Sequence, residues 1–434
     1  MSATIANSYL ASLLTGQPEL SAAFSSPAHA WLNRLRADAV DRVGALTVPT
    51  TRDEEWRFTD ISPLTKISFQ PTRNAPPLDA VKIKNFTLPE PAARLVFVDG
   101  VYAPQLSFNK AGVVVENLAA GMARHGAQIE LHLGRYAGFH GNVFTALNTA
   151  FLHDGALIVV PGNTSVAAPL HLLFIATQKA TASYPRCLVV AESGSSVTMI
   201  EDYVALTDEP YFTNAVSEIF IADNAHLNHV RVQRENGAAF HIANCAVSLS
   251  HAARYQSVSV ALGARISRYD LNVVQAAASA ECTIDGLALI GERQLADTHS
   301  CIDHAEPHGT SRQLHKCIVD GAAHAVFNGK IIVRPGAQRT DSSQSSRNLL
   351  LTGKARIDTK PQLEIFADDV KCAHGATVGQ LDSEEVFYLR SRGLSDAAAR
   401  NLLTYAFGAE IIDRIPVATL KHRLEQIVLA QTNR

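Results

Sequence analysis

Two short stretches carry residue types suited to metal chemistry. The first reads Asp368-Asp369-Val370-Lys371-Cys372-Ala373-His374-Gly375. Cys372 and His374 stand at i and i+2, so an extended backbone aims both side chains to one side. A thiolate and a neutral imidazole suit iron or zinc. Two ligands do not close a site that usually takes four, which points to transient binding or to ligands shared with another chain. Asp369 and Lys371 flank the pair with charge and argue against deep burial. The second stretch holds His299, Cys301, Asp303, His304, His308, His315, Cys317 and His324. Strand alternation would let His299, Cys301 and Asp303 converge, and likewise His315 and Cys317. This stretch has no CxxC, HExxH or HxH–carboxylate pattern. Hydrogen bonding by partly buried histidines is therefore the simpler reading, and no stable metal site is expected in the isolated chain.

Other chemistries lack their motifs. No GxxxxGK(S/T) phosphate loop is present, so ATP binding in that manner is excluded. Neither a GxSxG elbow nor a helix-opening GxGxxG occurs. Glu54 and Glu55, before Trp56, read as a solvated helix face. The formal net charge of -3 offers no basic stripe for nucleic acid. No apolar run reaches the roughly 18 residues of a membrane span. The first Arg is Arg34 and the first Lys is Lys66, which fits neither a signal peptide nor an Arg-rich transit peptide. Cys187, Cys245, Cys282, Cys301, Cys317 and Cys372 are scattered over 434 residues and read as free thiols in a reducing cytosol. A cytoplasmic, non-enzymatic protein is expected.

The elements that must position these residues fall into three parts. Residues 1–92 read as a helical region with a Pro-rich linker. Ser26-Pro27 is a start signal, and Pro71, Pro76, Pro77, Pro89 and Pro91 mark the linker. Residues 93–380 read as β structure with little helical periodicity. Short apolar runs such as Leu157-Ile158-Val159-Val160 and Lys330-Ile331-Ile332-Val333 alternate with similar turns at Gly194, Asn224, Gly263 and Gly353. Such repeats predict a β-solenoid, in which each coil buries its apolar face on the next; a double-sheet jelly roll is the rival. Residues 381–434 read as helical, with Asp382 and Ser395 as caps and Gly393 as a stop. Leu402, Leu403, Phe407, Leu420 and Leu424 form apolar faces there. They are expected partly to pack on the β core and partly to receive a partner.

The run from Gly309 to Gly379 resembles the SufB/SufD family of iron–sulfur cluster assembly scaffolds. EEWRFTD before Ile61, Phe144-Thr145-Ala146-Leu147-Asn148 and Phe387-Tyr388-Leu389-Arg390-Ser391-Arg392-Gly393 resemble the same family. The run KPQLEIFADDVKCAHGATVGQLD is similar to the SufD form, and Gly375 stands where SufB-like chains carry an acidic residue. The resemblance implies a mainly β fold, a right-handed parallel β-helix flanked by helical ends. It implies a SUF complex of one SufB, one SufD and two SufC subunits. In it, SufC hydrolyses ATP and SufD supports iron acquisition. By the same resemblance Cys372 and His374 lie near the SufB–SufD interface, where a transient iron–sulfur cluster forms, and the C-terminal helices dock SufC. Flavin is associated with such complexes, but this chain carries no flavin motif. Alone, the chain is expected to pair with a second copy through the surface meant for SufB. The alternatives are a purely structural adaptor for SufC, or a stand-alone metal-dependent enzyme built on the His299–His324 stretch.

Overall fold

The computed structural model describes residues 9–15, 29–72 and 74–432. The Ser26-Pro27 start signal lies outside the described residues. The first long helix described, α1, is Ala30–Ala45, and Leu32, Arg36, Ala39 and Val43 form its buried stripe.

From Ala93 to Gly379 the chain builds a parallel β-solenoid. Its two sheets have 11 strands each, the short strand Gln70–Pro71 included, and from Arg186 onward successive strands fall alternately in one sheet and the other. Each coil pairs in parallel with the coil before it, as in Ser342 beside Cys372 and His299 beside Asn328. Partners are not evenly spaced: Phe240 meets Ile266, while His324 meets Arg356. That drift is why the repeat is faint in the sequence. Gly194, Asn224 and Ala264 all take positive φ at the corners. The interior is filled by alternate residues of both sheets, including Leu172, Met199, Ile219, Leu227, Val247 and Val273.

The two ends of the solenoid differ. At the first coil, antiparallel strands close the edges: Val101–Tyr102 and Phe108–Asn109 flank Ala93–Val98, and Val114–Asn117 flanks Gly155–Val160. At the last coil, Arg356–Ile365 and Lys371–Gly379 each pair only with the preceding coil.

The β region also holds two helices that the sequence pattern does not predict, α2 (Leu118–His132) and α3 (Val143–Ala150). Every residue of the eight-residue α3 is buried, and its polar residues Thr145 and Asn148 turn into the sheet rather than to solvent, so it lacks the solvent face of an amphipathic surface helix. In α2, the backbone leaves helical geometry at His125, which breaks the period. Nor is the Pro-rich stretch a free linker. Ile83 is buried with Val96 and Leu173, and Leu78 and Phe86 pack beside them.

After the last strand come α4 (Ser383–Ser391), α5 (Asp396–Ile412) and α6 (Ala418–Thr432). Asp382 caps α4 by accepting from Glu384 N, and Gly393 follows at φ 101°. Ser395 caps α5 by accepting from Ala398 N at 3.1 Å. Helices α5 and α6 cover the outer face of one sheet, where Ile411, Leu420, Leu424 and Val428 are buried against Val230, Val258, Leu287 and Ile318. Lys316 reaches out of the same sheet to Glu410 (2.5 Å) and to the Phe407 carbonyl (2.9 Å). Among the described residues no helix is long and apolar enough to cross a membrane.

This packing separates two leucines by burial. Leu424 is 0% exposed and Leu402 is 45% exposed. Leu424→Ala should cost about 2–5 kcal/mol in denaturant unfolding. Leu402→Ala should stay within about 0.5 kcal/mol of the parent.

Candidate functional site

The open end of the solenoid presents Cys372 and His374. Cys372 is half-buried against Ile331, Val333 and Ala337, which places its side chain on the inner face of the coil. His374, two residues on, shares that face. One coil earlier their partners Ser342 and Gln344 are 2% and 3% exposed. His374 faces the same way yet is exposed, because no further coil covers it. Elsewhere on the last coil Ile365, Phe366 and Val378 are exposed apolar groups. The last strands leave backbone donors and acceptors without partners along one side, an edge that invites pairing. Partial burial raises the Cys372 thiol pKa, and the Asp341 carboxylate adds to this against the Ser342 backbone contact. A metal binding there must displace a proton.

The second stretch converges only in pairs: His299 and Cys301 border one cavity and His315 lies beside Cys317, but its residues do not gather at one point. His299 lies on the outer face, between Asp297 (3.0 Å) and Glu55 (3.2 Å). Cys301 opens into a cavity of about 640 Å³ bordered by Trp56, Phe144, Arg268 and Lys330. Burial pushes its thiol up to about 11. Asp303 is engaged by Arg334 at 2.6 Å. His304 points inward, bonded to Ser311 Oγ at 3.0 Å, and burial pushes it down to about 4. His315 stacks on Phe327 and lies 3.6 Å from Cys317 Sγ; burial pushes the imidazole down to about 3 and the thiol up to about 12. His308 occupies an exposed turn at φ 62°, and His324 pairs with Asp358 at 2.7 Å. Among the described residues no three His, Cys, Asp or Glu side chains group to hold a metal ion.

The C-terminal leucines divide. Leu402 is exposed and Leu403 and Phe407 are half-buried. Leu420 and Leu424 are buried on the solenoid. A helix lying on a sheet must spend one stripe on the core, so these two are removed from the free surface and replaced there by Phe387 (71%) and Tyr388 (56%).

Residues 174–407 match the SufBD core domain of SUF system FeS cluster assembly, and residues 12–172 match the SufBD protein N-terminal region. The chain belongs to the SufBD family. It is 44% identical over 412 residues to an iron–sulfur cluster assembly SufBD family protein of Synechocystis sp., covering 92% of this chain and 90% of that protein. It is 35% identical over 385 residues to iron–sulfur cluster assembly protein SufD of Escherichia coli, covering 87% and 88%. It is 30% identical over 414 residues to protein ABCI7, chloroplastic, of Arabidopsis thaliana, covering 89% and 83%.

In this SufBD chain the EEWRFTD segment straps the N-terminal region to the solenoid. Trp56 lies under the Arg268 guanidinium, 4.0 Å from its ring centre. Arg268 donates to the Glu55 carbonyl and to Asp297, each at 2.7 Å. Thr59 donates to Asp297 at 2.6 Å. Arg268 and Asp297 fall in no recognisable sequence motif, since the contacts that define them, with Glu55 and Thr59, are made across more than 200 residues. Burial pulls His299 down, but the Asp297 carboxylate, its hydrogen bond and Glu55 override this and hold the imidazole at about 9. The unfolded imidazole titrates near about 6.5. Because the folded value is the higher one, His299 stabilises fully below about pH 6.5, and that contribution is lost as pH rises through about 9. Wild-type protein should therefore lose on the order of 2–3 kcal/mol between pH 6.5 and 10. His299→Gln should remove most of that slope in denaturant titrations run across the same range.

Proposed function

We propose that this chain is a non-catalytic subunit of a SUF scaffold complex, in which it helps to host a nascent iron–sulfur cluster at its junction with SufB. The cluster is cargo that arrives and leaves. The observation that carries the reading is the placement of a thiol and an imidazole together on the uncovered inner face of the last coil. Two ligands hold iron only briefly, and a partner solenoid stacked on the open edge would bring the rest. In that arrangement His374 supplies a neutral nitrogen, and Cys372 supplies sulfur once its proton is displaced. With no SufB present, the same edge is available to a second copy of the chain.

The SufC ATPase docks, in this reading, on the exposed face of the C-terminal helices, through Phe387, Tyr388 and Leu402 with Leu403 and Phe407 at its margin. Leu420 and Leu424 act indirectly, by holding α6 on the sheet. The scattering of the His299–His324 residues favours this over a stand-alone metal enzyme. A purely structural adaptor remains the rival, and substitution of His374 separates the two.

His374→Ala removes a ligand but almost no packing. Co-expressed with SufB and SufC, it should assemble normally while cluster reconstitution falls at least about tenfold, a loss no smaller than that from a mere supporting group. Cys372→Ser should be milder, since a partner thiolate carries the principal sulfur. In the same preparations Leu402→Glu should release SufC and leave SufB bound. Normal cluster yield from an intact His374→Ala complex would leave the chain an adaptor only.

A further inference from the structure

Beneath the two candidate ligands the interior of the solenoid is polar. Two chains of hydrogen bonds run inward from coil to coil. Under Cys372, Ser342 Oγ lies 2.6 Å from Ser311 Oγ, which lies 3.0 Å from His304 Nε2. Under His374, Gln344 donates from Nε2 to Gln313 Oε1 at 2.8 Å, and Gln313 donates from Nε2 to Ser300 Oγ at 2.8 Å. Each glutamine thus gives its amide N–H inward, and each amide is oriented by the one below. What remains at the top of the stack is the Gln344 oxygen. It is buried and has no hydrogen-bond partner. A buried acceptor without a partner costs about 1–3 kcal/mol, so such a group usually has a use.

Gln344 is the direct strand partner of His374. Paired strands lie about 4.7–4.9 Å apart, and both side chains face inward, so an imidazole on His374 is within reach of that oxygen. Position 329 holds glycine, and a Cβ there would come within 2.3 Å of Gln344 Nε2 and 2.8 Å of Phe327 Cζ. The absence of a side chain at Gly329 makes room for the glutamine stack.

We infer that Gln344 is a positioning residue for His374: its Oε1 accepts the imidazole N–H and turns the other ring nitrogen out of the open end. A neutral imidazole has one donor nitrogen and one acceptor nitrogen, so fixing the first exposes the second. Metal-binding histidines commonly give their remaining N–H to a carbonyl or carboxylate in this way. This assignment rests on the reading of His374 as a ligand to the iron cargo.

The test reads the tautomer directly. The full-length chain is prepared with 15N-labelled histidine, and the His374 signals are assigned by their loss in His374→Ala. Wild type should show one dominant neutral tautomer. Gln344→Met keeps the length but removes the acceptor, and should give a mixture. Gln344→Glu keeps an acceptor and should restore a single tautomer. In the complex with SufB and SufC, Gln344→Met should lower cluster yield by about 10–100-fold and Gln344→Glu should recover it. Should Gln344→Met fail to fold, Gln313→Met, which frees the Gln344 amide to turn, should loosen the tautomer likewise. An unchanged tautomer in a folded variant lacking the acceptor or its support overturns the inference. The ligand reading fails by a different result, normal cluster yield from His374→Ala, so the two are told apart.

Discussion

Stacked backbone hydrogen bonding is the constraint on which this molecule depends. Each coil of the solenoid satisfies its strands with the coil before and the coil after, and the series must stop somewhere. An unsatisfied buried backbone group is costly, so a terminus has to be closed, solvated or shared. The first coil is closed by antiparallel strands from 101–117. The last coil is not closed, and the Cys372–His374 pair sits on it. The asymmetry between the ends connects the fold to the proposed function, because the Cys372–His374 pair coincides with the edge that no strand of this chain covers.

A second constraint is the amount of charge held inside. Arg186 and Glu218 are both 0% exposed and meet at 2.6 Å. Glu218 also accepts backbone N–H groups from Gly134, Tyr136 and Ala137, so the ion pair anchors the segment between α2 and α3 to the sheet. Glu201 is held low, at about 2: burial opposes its charge, but His229, Ser217 and Arg231 outweigh that. Removing one member of such a set strands the other in a dry interior and is strongly destabilising. The polar glutamine stack under His374 follows the same logic, except that its last acceptor is left without a partner.

Much of this was legible from residue spacing. Cys372 and His374 were placed on one face by the i, i+2 alternation, and the solenoid by its recurring turns. The caps at Asp382 and Ser395 and the stop at Gly393 follow from local chemistry that tertiary contacts do not override. What escaped has physical causes. Helix α3 is short and buried all round, so its polar residues do not mark a solvent face. Glu54 and Glu55 are exposed, as a solvated face would be, but they also pair with Lys360 and His299, contacts made across about 240 to 300 residues of sequence that no local pattern encodes. The histidines of 299–324 alternate between outer face, interior and turns, so their density in the sequence does not become proximity in space. Leu420 and Leu424 carry the same apolar signature as Leu402, and only the docking of α6 on the sheet separates core from surface.

The central claim is that the last coil is left open to be completed by a partner. Amide hydrogen exchange of the strand Lys371–Gly379, compared in the dilute isolated chain and in the presence of SufB, tests it most directly. Rapid exchange is expected in the isolated chain, with at least about tenfold slowing across this strand when SufB binds. Exchange in this strand that is unchanged by SufB, with protection confined to α5 and α6, would contradict it.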